Sequence, residues 1–339
     1  MGVKNTDISR ILNISTATVS LARNNKPGVS ERTRNSINEV INQLSQQNET
    51  QIGIRENQGS LVFVIHKKHG LVINDSRFFL QLTEAVQREA EVNNYSLQIL
   101  YYNESDDISN NLIKCSLPST GGILLLAAEM REEDIKIYAD VGKPLVLIDS
   151  HYPGINYDTV ILNNKDAVRK SVIHAFDRGH RSIGYLRSSV YTANFAERYD
   201  AYVNTMRELG LSVDQNYIFD ISCTHNESYK DMQKNLRGRD KSSLPTAIIA
   251  GNDILAVGAL KAMRESDISI PDDVSMIGFD DIPMANLLDP PLTTVRTFNV
   301  EIARMAMRRM VDRITNPDLP AVKIEVGTEF IVRESVKTL

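Results

Sequence analysis

Residues 61–101 contain the pattern that decides the fold. Two apolar runs, Leu61-Val-Phe-Val-Ile-His66 and Ser96-Leu-Gln-Ile-Leu-Tyr101, flank the longer segment Phe78-Phe-Leu-Gln-Leu-Thr-Glu-Ala-Val-Gln-Arg-Glu-Ala-Glu-Val92. Short apolar runs of this length favour buried strands, whereas the longer segment repeats its apolar residues at the spacing of an amphipathic helix. A strand, a helix and a second strand in succession predict a parallel β-α-β unit.

The same alternation continues along the rest of the chain. Further buried strands are predicted at Gly121–Ala127, Leu145–Asp149, Ile183–Arg187, Tyr217–Ile221, Ala247–Ala250 and Val274–Phe279, and a clear helix at Asp134–Val141. Alternating strands and helices predict parallel sheets that are covered on both faces. Two such runs of about 100–130 residues predict two similar lobes, with a cleft at the carboxyl ends of their strands.

The first 48 residues have a different pattern, which is that of three short helices. Asn5 or Thr6 would cap a helix to about Leu12, and Ser15 or Thr16 would cap a second to about Arg23. Ser30 would cap the third, and Val19 is predicted in the core rather than on the surface. Three helices in about 45 residues, the first two joined by a short turn, indicate a helix-turn-helix module. Residues 49–59 are polar, contain two glycines and are predicted to be a linker.

Charge and composition narrow the class of protein. The chain has 339 residues and a net charge of −5, but residues 1–48 carry +3 and the remainder −8, which suggests that only the head meets a polyanion. No apolar run approaches the roughly 20 residues of a membrane span, and the N-terminus lacks the apolar region of a secretory signal, so we expect a cytoplasmic protein. Cys115 and Cys223 lack metal-ligand spacing. With no nucleophile–base pair or phosphate-binding loop, we expect no enzyme, no cofactor and no metal site.

The head resembles that of a known family. Asp7–Arg34 resembles the DNA-binding head of the LacI/GalR family of bacterial transcription regulators, through Ile14-Ser-Thr-Ala-Thr-Val-Ser20, Asn24 and Val29-Ser-Glu-Arg-Thr-Arg34. The resemblance extends along the body through Arg178-Gly-His-Arg-Ser-Ile-Gly184, Pro245-Thr-Ala-Ile-Ile-Ala-Gly-Asn-Asp253, Ala256-Val-Gly-Ala-Leu-Lys261, Ile270-Pro-Asp-Asp-Val-Ser-Met-Ile-Gly-Phe-Asp-Asp281 and Pro290-Pro-Leu-Thr-Thr-Val295.

This resemblance implies an α/β fold with an all-α helix-turn-helix head and a two-lobed, periplasmic-binding-protein-like body built on parallel sheets. The head would span 1–48, the linker or hinge 49–59 and the body 60–339. Lobe one would comprise about 60–160 and 292–322, and lobe two about 161–291 and 323–339. The implied function is that of a homodimeric repressor that binds double-stranded operator DNA under the control of a small effector.

Within the head, a recognition helix enters the major groove N-terminus first, so Thr16, Ala17 and Leu21 would reach base edges. Hydroxyl, amide and guanidinium groups suited to phosphate oxygens are those of Ser15, Thr18, Ser20, Asn24 and Arg32. Leu21 stands where family members often carry an arginine, so a contact to guanine would be lost. In the shortened hinge, Ile52 or Ile54 would supply a minor-groove wedge and Arg55 a cation. Packing of both isoleucines against the body remains an alternative.

In the body, Arg198 and Asp280 match the family's effector-binding pair. Asn252 and Asp149 follow predicted strands and point to the same cleft by the strand-end rule, whereas Asp253 is interpreted as a helix N-cap. Phe79 is the aromatic residue expected against the ligand, and since the chain has no tryptophan, Tyr191, Phe195 or Tyr199 could serve. The family's usual Asp-Asn is replaced by Asn163-Asn164, so the usual effector is not assumed. A sugar or sugar derivative is the first expectation.

Two alternatives stay open. A phosphoprotein corepressor could dock on the helix at 300–314, where arginines lie beside methionines: Arg304, Arg308, Arg309 and Arg313 with Met305, Met307 and Met310. The competing interpretation of this helix is an ordinary amphipathic one, with methionine in the core and arginine in water. A purine-type effector is the other possibility.

Overall fold

The computed structural model describes residues 58–74 and 77–339 and, nearer the N-terminus, residues 9, 12, 14–23, 29, 30, 33, 34, 36, 37 and 40. The chain divides into two compact units, residues 1–57 and 58–339. Several residues with a predicted role in DNA binding lie outside the described residues, namely Asn24, Arg32, Ile52, Ile54 and Arg55.

The N-terminal unit contains helix α1 (Thr16–Arg23). The Ser15 hydroxyl accepts a hydrogen bond of 3.1 Å from the backbone N–H of Thr18, so Ser15 is the residue that caps this helix. Ser30 Oγ accepts an equivalent bond of 3.2 Å from the N–H of Thr33, as the capping prediction for the third helix requires.

A small apolar core holds this unit together. Val19 is fully buried and packs with three other buried residues, Ala22, Ile37 and Val40. The core assignment of Val19 is therefore confirmed, and α1 turns its other face toward solvent.

The body consists of alternating strands and helices. The strands are β1 (Gly59–Lys67), β2 (Tyr95–Asn103), β3 (Thr120–Leu126), β4 (Leu145–Ile148), β5 (Asp158–Leu162), β6 (Ile183–Ser188), β7 (Ile218–Ile221), β8 (Ala247–Ala250), β9 (Ser275–Ile277), β10 (Thr294–Arg296), β11 (Lys323–Val326) and β12 (Glu329–Ile331). The α-helices are α2 (Arg77–Val92), α3 (Ser109–Ser116), α4 (Glu132–Ala139), α5 (Asn164–Asp177), α6 (Ala193–Glu208), α7 (His225–Leu236), α8 (Asp253–Glu265) and α9 (Asn299–Thr315).

Lobe one is built on a parallel sheet of order β11-β5-β4-β3-β1-β2. Alternate residues of β1 show that both faces of the sheet are covered. Leu61 and Phe63 belong to one buried cluster, and Val62 and Val64 to another on the opposite face. The prediction of parallel sheets buried on both faces is confirmed.

Lobe two is built on a second parallel sheet of order β7-β6-β8-β9. The predicted strand at Val274–Phe279 is shorter than expected, because β9 ends at Ile277. At and after the end of β9, single bridges join Ile277 to Thr293 and Asp280 to Arg296.

One boundary of the lobes differs from the sequence prediction. The last crossover was expected near residue 322, but Val326 of β11 pairs with Leu162 of β5, so this strand is an edge of the lobe-one sheet. The chain therefore leaves lobe one after Val326. The four-residue strand has one buried residue, and this weak apolar pattern explains why the sequence did not reveal it.

Helix α9 matches neither sequence interpretation in full. Met307 and Met310 are buried, as expected of an amphipathic helix, but Arg309 is buried as well. Its Nε atom donates a bond of 2.7 Å to Asp158, and Nε of Arg313 donates one of 2.8 Å to the same carboxylate. The expectation that all four arginines lie in water is wrong, because a buried carboxylate on the neighbouring strand requires partners.

Candidate functional site

A cavity lies between the two lobes at the carboxyl ends of their strands. Its volume is about 30 Å³, so the two lobes lie close together around it. Its walls are formed by Val72, Phe78, Phe79, Ala128 and Asp149 of lobe one and by Thr192, Asn194, Phe195, Arg198, Asn252 and Asp280 of lobe two. All five residues predicted to bind an effector lie on these walls, and their contact with an effector stays a prediction.

The fold explains why these side chains converge. Asp149 directly follows β4, Asn252 follows β8 by two residues, and Asp280 follows β9 by three. The carboxyl ends of parallel strands meet at one edge of a sheet, and here the two edges face each other. Arg198 comes from the second turn of α6, whose first residues also line the cavity.

Arg198 is held rigidly although it is a long side chain. Its Nε donates a bond of 2.8 Å to Asn164 Oδ1, and Nη1 donates one of 2.8 Å to the carbonyl oxygen of Gly251. Its Nη2 lies 3.8 Å from Asp280 Oδ1. A guanidinium has five N–H donors, so this arrangement leaves further donors at the cavity wall while the group itself stays fixed.

Asp280 is the carboxylate next to this guanidinium. Its φ of +111° is unusual for a residue other than glycine, and the single bridge to Arg296 holds the backbone there. Burial raises the pKa of Asp280 to about 6, and the positive charge of Arg198 opposes that rise. The side chain can thus accept hydrogen bonds as a carboxylate or donate one as an acid near neutral pH.

Asp149 is the second carboxyl group on the cavity wall. Its Oδ1 atom is buried, and no hydrogen-bond partner for it exists among the residues that the structure describes. Burial raises the pKa of Asp149 to about 7, against the opposing influence of Arg198. A buried oxygen without a partner costs free energy, so a ligand that donated a hydrogen bond to it would gain affinity.

Asn252 takes the N-cap role that the sequence suggested for Asp253. The Oδ1 of Asn252 accepts a bond of 3.0 Å from the N–H of Leu255, so Asn252 caps α8, and its amide group also faces the cavity. Asp253 is the first residue of the helix. Its two oxygens accept bonds from the Thr294 hydroxyl at 2.7 Å and from the N–H of Ile282 at 2.9 Å. The N-cap assignment of Asp253 is wrong, since its carboxyl group joins α8 to the segments that follow β9.

The apolar part of the wall is formed by phenylalanine rings. The rings of Phe78 and Phe79 meet edge to face, with centroids 4.9 Å apart, and Phe195 lies on the lobe-two side. The other aromatic candidates do not line this cavity. Tyr191 and Tyr199 lie along a separate groove beside Arg187.

Asn163 and Asn164 do not line the cavity, but Asn164 contacts two residues of its wall. Asn163 Oδ1 accepts a bond of 3.1 Å from the N–H of Asp166 and caps α5. Asn164 is buried. Its Oδ1 accepts the bond from Arg198 Nε, and its Nδ2 donates a bond of 2.8 Å to Asn194 Oδ1. Asn164 therefore positions the guanidinium rather than lining the cavity.

Sequence reasoning missed part of the wall. Asn194 precedes Arg198 by four residues on α6, a spacing that places both on one helix face and could have revealed it. Thr192 caps the same helix by accepting a bond of 3.1 Å from the N–H of Phe195. Val72 and Ala128 carry no polar signal and could not have been found without the fold.

In the head, the predicted DNA-contacting residues of α1 differ in exposure. Thr16 and Ala17 are exposed, and Thr18, Ser20 and Leu21 are half-buried. Thr18 Oγ1 lies 2.9 Å from Ser15 Oγ, so this hydroxyl has a partner within the head. In the part of the chain that the structure describes, no helix is long and apolar enough to cross a membrane. The same residues contain no cluster of three or more His, Cys, Asp or Glu suited to a metal ion.

Comparison with known proteins adds independent information. A family described as a periplasmic binding protein-like domain matches residues 172–336. The HTH-type transcriptional repressor PurR of Glaesserella parasuis serovar 5 is 29% identical over 343 residues, covering 98% of each chain.

Solved structures show the same fold over nearly the full length. A complex of the transcriptional regulator CelR with cellobiose has a TM-score of 0.72 at 21% identity and covers 98% of this chain and 99% of its own. The lac repressor dimer bound to operator and the anti-inducer ONPF has a TM-score of 0.71 at 18% identity, covering 99% and 100%. The chain is therefore similar to the PurR repressor along almost its whole length and shares the two-lobed fold of the CelR and lac repressor structures.

Proposed function

We propose that this protein is a DNA-binding transcriptional repressor whose affinity for its operator is controlled by a small ligand bound between the lobes. The observation that carries the proposal is the cavity at the lobe interface, in which Arg198 and Asp280 face each other. A ligand that contacts both walls would bind one relative position of the lobes better than others and so shift their equilibrium.

The walls favour a neutral, hydroxyl-rich ligand. Two carboxyl groups, Asp149 and Asp280, offer acceptors for hydroxyl groups, while Arg198 and the amide of Asn252 offer donors. Phe79 and Phe195 present apolar surfaces to the faces of a ring. A sugar or sugar derivative fits this combination, and the CelR relative was solved with cellobiose.

A purine-type ligand is the second candidate. The edge-to-face pair of Phe78 and Phe79, with Phe195 opposite, would suit a flat heteroaromatic ring as well as a sugar.

A phosphoprotein corepressor gains less support. Of the arginines that could dock it, Arg309 and Arg313 bind Asp158, and Arg304 lies 3.7 Å from Glu89. Three of the four arginines are thus already paired with carboxylates, which leaves less positive charge for a phosphate.

The head would bind a near-palindromic operator as part of a homodimer, because one recognition helix covers only a half-site. The binding energy would come largely from phosphates. With roughly 6–10 phosphates neutralised, affinity should fall about 10³–10⁵-fold between about 50 and 200 mM salt.

The test begins with selection of an operator from a random DNA library by the purified protein. Release of that operator is then followed by fluorescence anisotropy with glucose, ribose, cellobiose, adenine and guanine, and binding of each compound by calorimetry. We expect one class to bind and to weaken operator binding by the factor by which the operator weakens ligand binding, typically 5–150-fold. Binding that left the operator affinity unchanged, or binding that persisted in Arg198→Ala, would contradict the proposal.

A further inference from the structure

A buried carboxylate that does not line the cavity organises a loop of lobe one that contacts lobe two beside the cavity. Glu129 follows β3, and its side chain is entirely buried. Its Oε2 atom accepts backbone N–H bonds from His69 at 3.1 Å and Gly70 at 2.7 Å. Its Oε1 atom accepts bonds from Val72 at 2.8 Å and Ile73 at 3.1 Å.

Four amides on one carboxylate define the conformation of the whole loop, residues 69–73. Successive N–H groups that converge on an anion form a stable concave arrangement, and each charge-assisted bond is stronger than one to a neutral acceptor. Gly70 has a φ of +70°, a conformation that other residues adopt only at a cost. The segment has no strand or helix pairing of its own, so Glu129 supplies the acceptors that regular structure would otherwise supply.

The loop held in this way contacts lobe two. The Sγ atom of Cys223, in the segment after β7, donates a hydrogen bond of 3.5 Å to the carbonyl oxygen of Leu71. Val72 packs against the apolar clusters of both lobes and lines the cavity. Residues 69–73 are therefore bound to lobe one through Glu129 and contact lobe two through Leu71 and Val72.

We propose that Glu129 is a positioning residue that fixes loop 69–73 as a latch between the lobes, so that the latch transmits ligand occupancy into the relative position of the lobes. Glu129 does not line the cavity, and its effect on a ligand would pass through Val72 and through Ala128, its neighbour in sequence. The coupling to ligand rests on the proposed function, but the latch itself can be tested in the ligand-free protein.

The two cysteines provide the measurement. Cys223 is 2% exposed and lies beneath the loop tip, whereas Cys115 is fully buried in α3 of lobe one, away from the latch. Alkylation of the full-length, ligand-free protein by N-ethylmaleimide, followed by peptide mass spectrometry, reports the opening of each site separately. Hydrogen exchange of the amides of residues 69–73 reports the loop directly.

The main variant is Glu129→Gln, which replaces an acceptor oxygen by an NH₂ group that cannot accept from two of the four amides. We expect exchange at residues 69–73 and alkylation of Cys223 to rise about 10-fold or more, while Cys115 is unchanged. The matched control is Glu133→Gln, because Glu133 is an exposed carboxylate nearby on α4. It should behave as the wild type.

A second variant covers the case in which Glu129→Gln does not fold. Gly70→Ala strains the loop from its other side, since the added Cβ would lie 2.6 Å from Asn74 Nδ2 and φ is positive. It should also expose Cys223 selectively. An unchanged Cys223 rate in a folded variant, or a parallel rise of Cys115, would overturn the latch.

The coupling between the latch and ligand-dependent operator binding is measured in a separate experiment. With a compound that binds the wild type in the test of the proposed function, Glu129→Gln should reduce the mutual weakening of ligand and operator by at least about threefold, while the operator affinity of the ligand-free protein stays the same. A full response despite an opened loop would overturn the coupling. If no compound binds the wild type, the proposed function fails, whereas the alkylation result still decides the latch.

Discussion

The guanidinium of Arg198 stacks on the ring of Phe279, with Cζ 3.6 Å from the ring centre, while Nη2 lies 3.8 Å from Asp280 in the next position of the chain. Stacking on one residue and pairing with its neighbour fixes both the plane and the direction of the guanidinium. A lysine ammonium would keep the charge but could reproduce neither the stack nor the planar set of donors.

We therefore expect Arg198→Lys to weaken binding of the active ligand by at least about 10-fold, equivalent to about 1.4 kcal/mol. Operator binding by the ligand-free protein should not change, because the residue lies in the body. Calorimetry and anisotropy measure the two affinities. Arg169→Lys is the control, since Arg169 is exposed and only pairs with Glu208 at 3.3 Å. Equal ligand affinity in Arg198→Lys and wild type would refute the assignment of this residue.

Two adjacent asparagines allow stability and ligand positioning to be separated. Asn164→Ala removes the acceptor of Arg198 Nε and leaves Asn194 without its donor, so ligand affinity should fall by about 5–30-fold along with stability. Asn163→Ala removes only a helix cap, which costs about 1 kcal/mol of stability. Ligand affinity should then stay at the wild-type value. Thermal unfolding and calorimetry on both variants test this; a similar loss of affinity in Asn163→Ala would mean that the effect is one of stability alone.

Much of the fold followed from the sequence because the strands of both lobes are short apolar runs buried on both faces. Leu61–His66 and Ala247–Ala250 could be located by this signal alone. The strands β5 and β11 escaped it for different reasons. Asp158 begins β5 with a buried charge, and β11 is an edge strand with little apolar content. Their pairing depends on partners far away in the chain, which no local pattern encodes.

The candidate site was predictable where a residue ends a strand or repeats a family motif, as for Asp149, Asp280 and Arg198. It was not predictable where a side chain acts on another side chain. Nothing in the local sequence of Asn164 shows that it receives a bond from a residue 34 positions later. The same holds for Asp253, whose burial and partners, Thr294 and Ile282, depend on the return of the chain past β9.

The pH dependence of the free energy of unfolding should reflect the raised pKa of Asp149. Its folded-state pKa of about 7 lies well above the usual value near 4, so the folded protein keeps a proton that the unfolded chain has lost. The free energy of unfolding should therefore decrease as pH rises from about 4 to about 7. Asp149→Asn, which mimics the neutral form, should reduce this decrease, and the part that remains comes from the raised pKa values of Asp280 and Asp253.

We expect Asp149→Asn to be more stable than wild type at pH 8 and closer to it at pH 5. A gain of about 1–2 kcal/mol would raise Tm by several degrees in a protein of this size. Thermal unfolding of both proteins between pH 5 and 8 measures the effect. Parallel curves at all pH values, or a variant that is less stable at pH 8, would show that Asp149 is ionised in the folded state throughout.

Neighbouring arginines of α9 should differ sharply in their contribution to stability. Arg309→Ala leaves the buried Asp158 with one partner fewer and should cost about 3–5 kcal/mol. Arg308 is exposed, so Arg308→Ala should stay within about 0.5 kcal/mol of wild type. Urea unfolding measures both. Comparable losses in the two variants would place the stabilising interaction elsewhere, and unaltered stability in Arg309→Ala would mean that Asp158 is not buried in the folded protein.

The head offers a test of how α1 reads DNA. Thr16 is exposed at the first position of the helix, where side chains reach base edges in the major groove, whereas the Thr18 hydroxyl lies 2.9 Å from Ser15 Oγ and is suited to a phosphate. Thr16→Ala should change the preferred base at one position of each half-site by about 1–3 kcal/mol of discrimination. Thr18→Val should weaken binding to all sequences alike, since phosphates carry no base identity. Selection of operators from a random library by each variant, followed by titration at a fixed salt concentration, distinguishes the two effects. A shifted base preference in Thr18→Val, with none in Thr16→Ala, would reverse the assignment and rotate the recognition face of the helix.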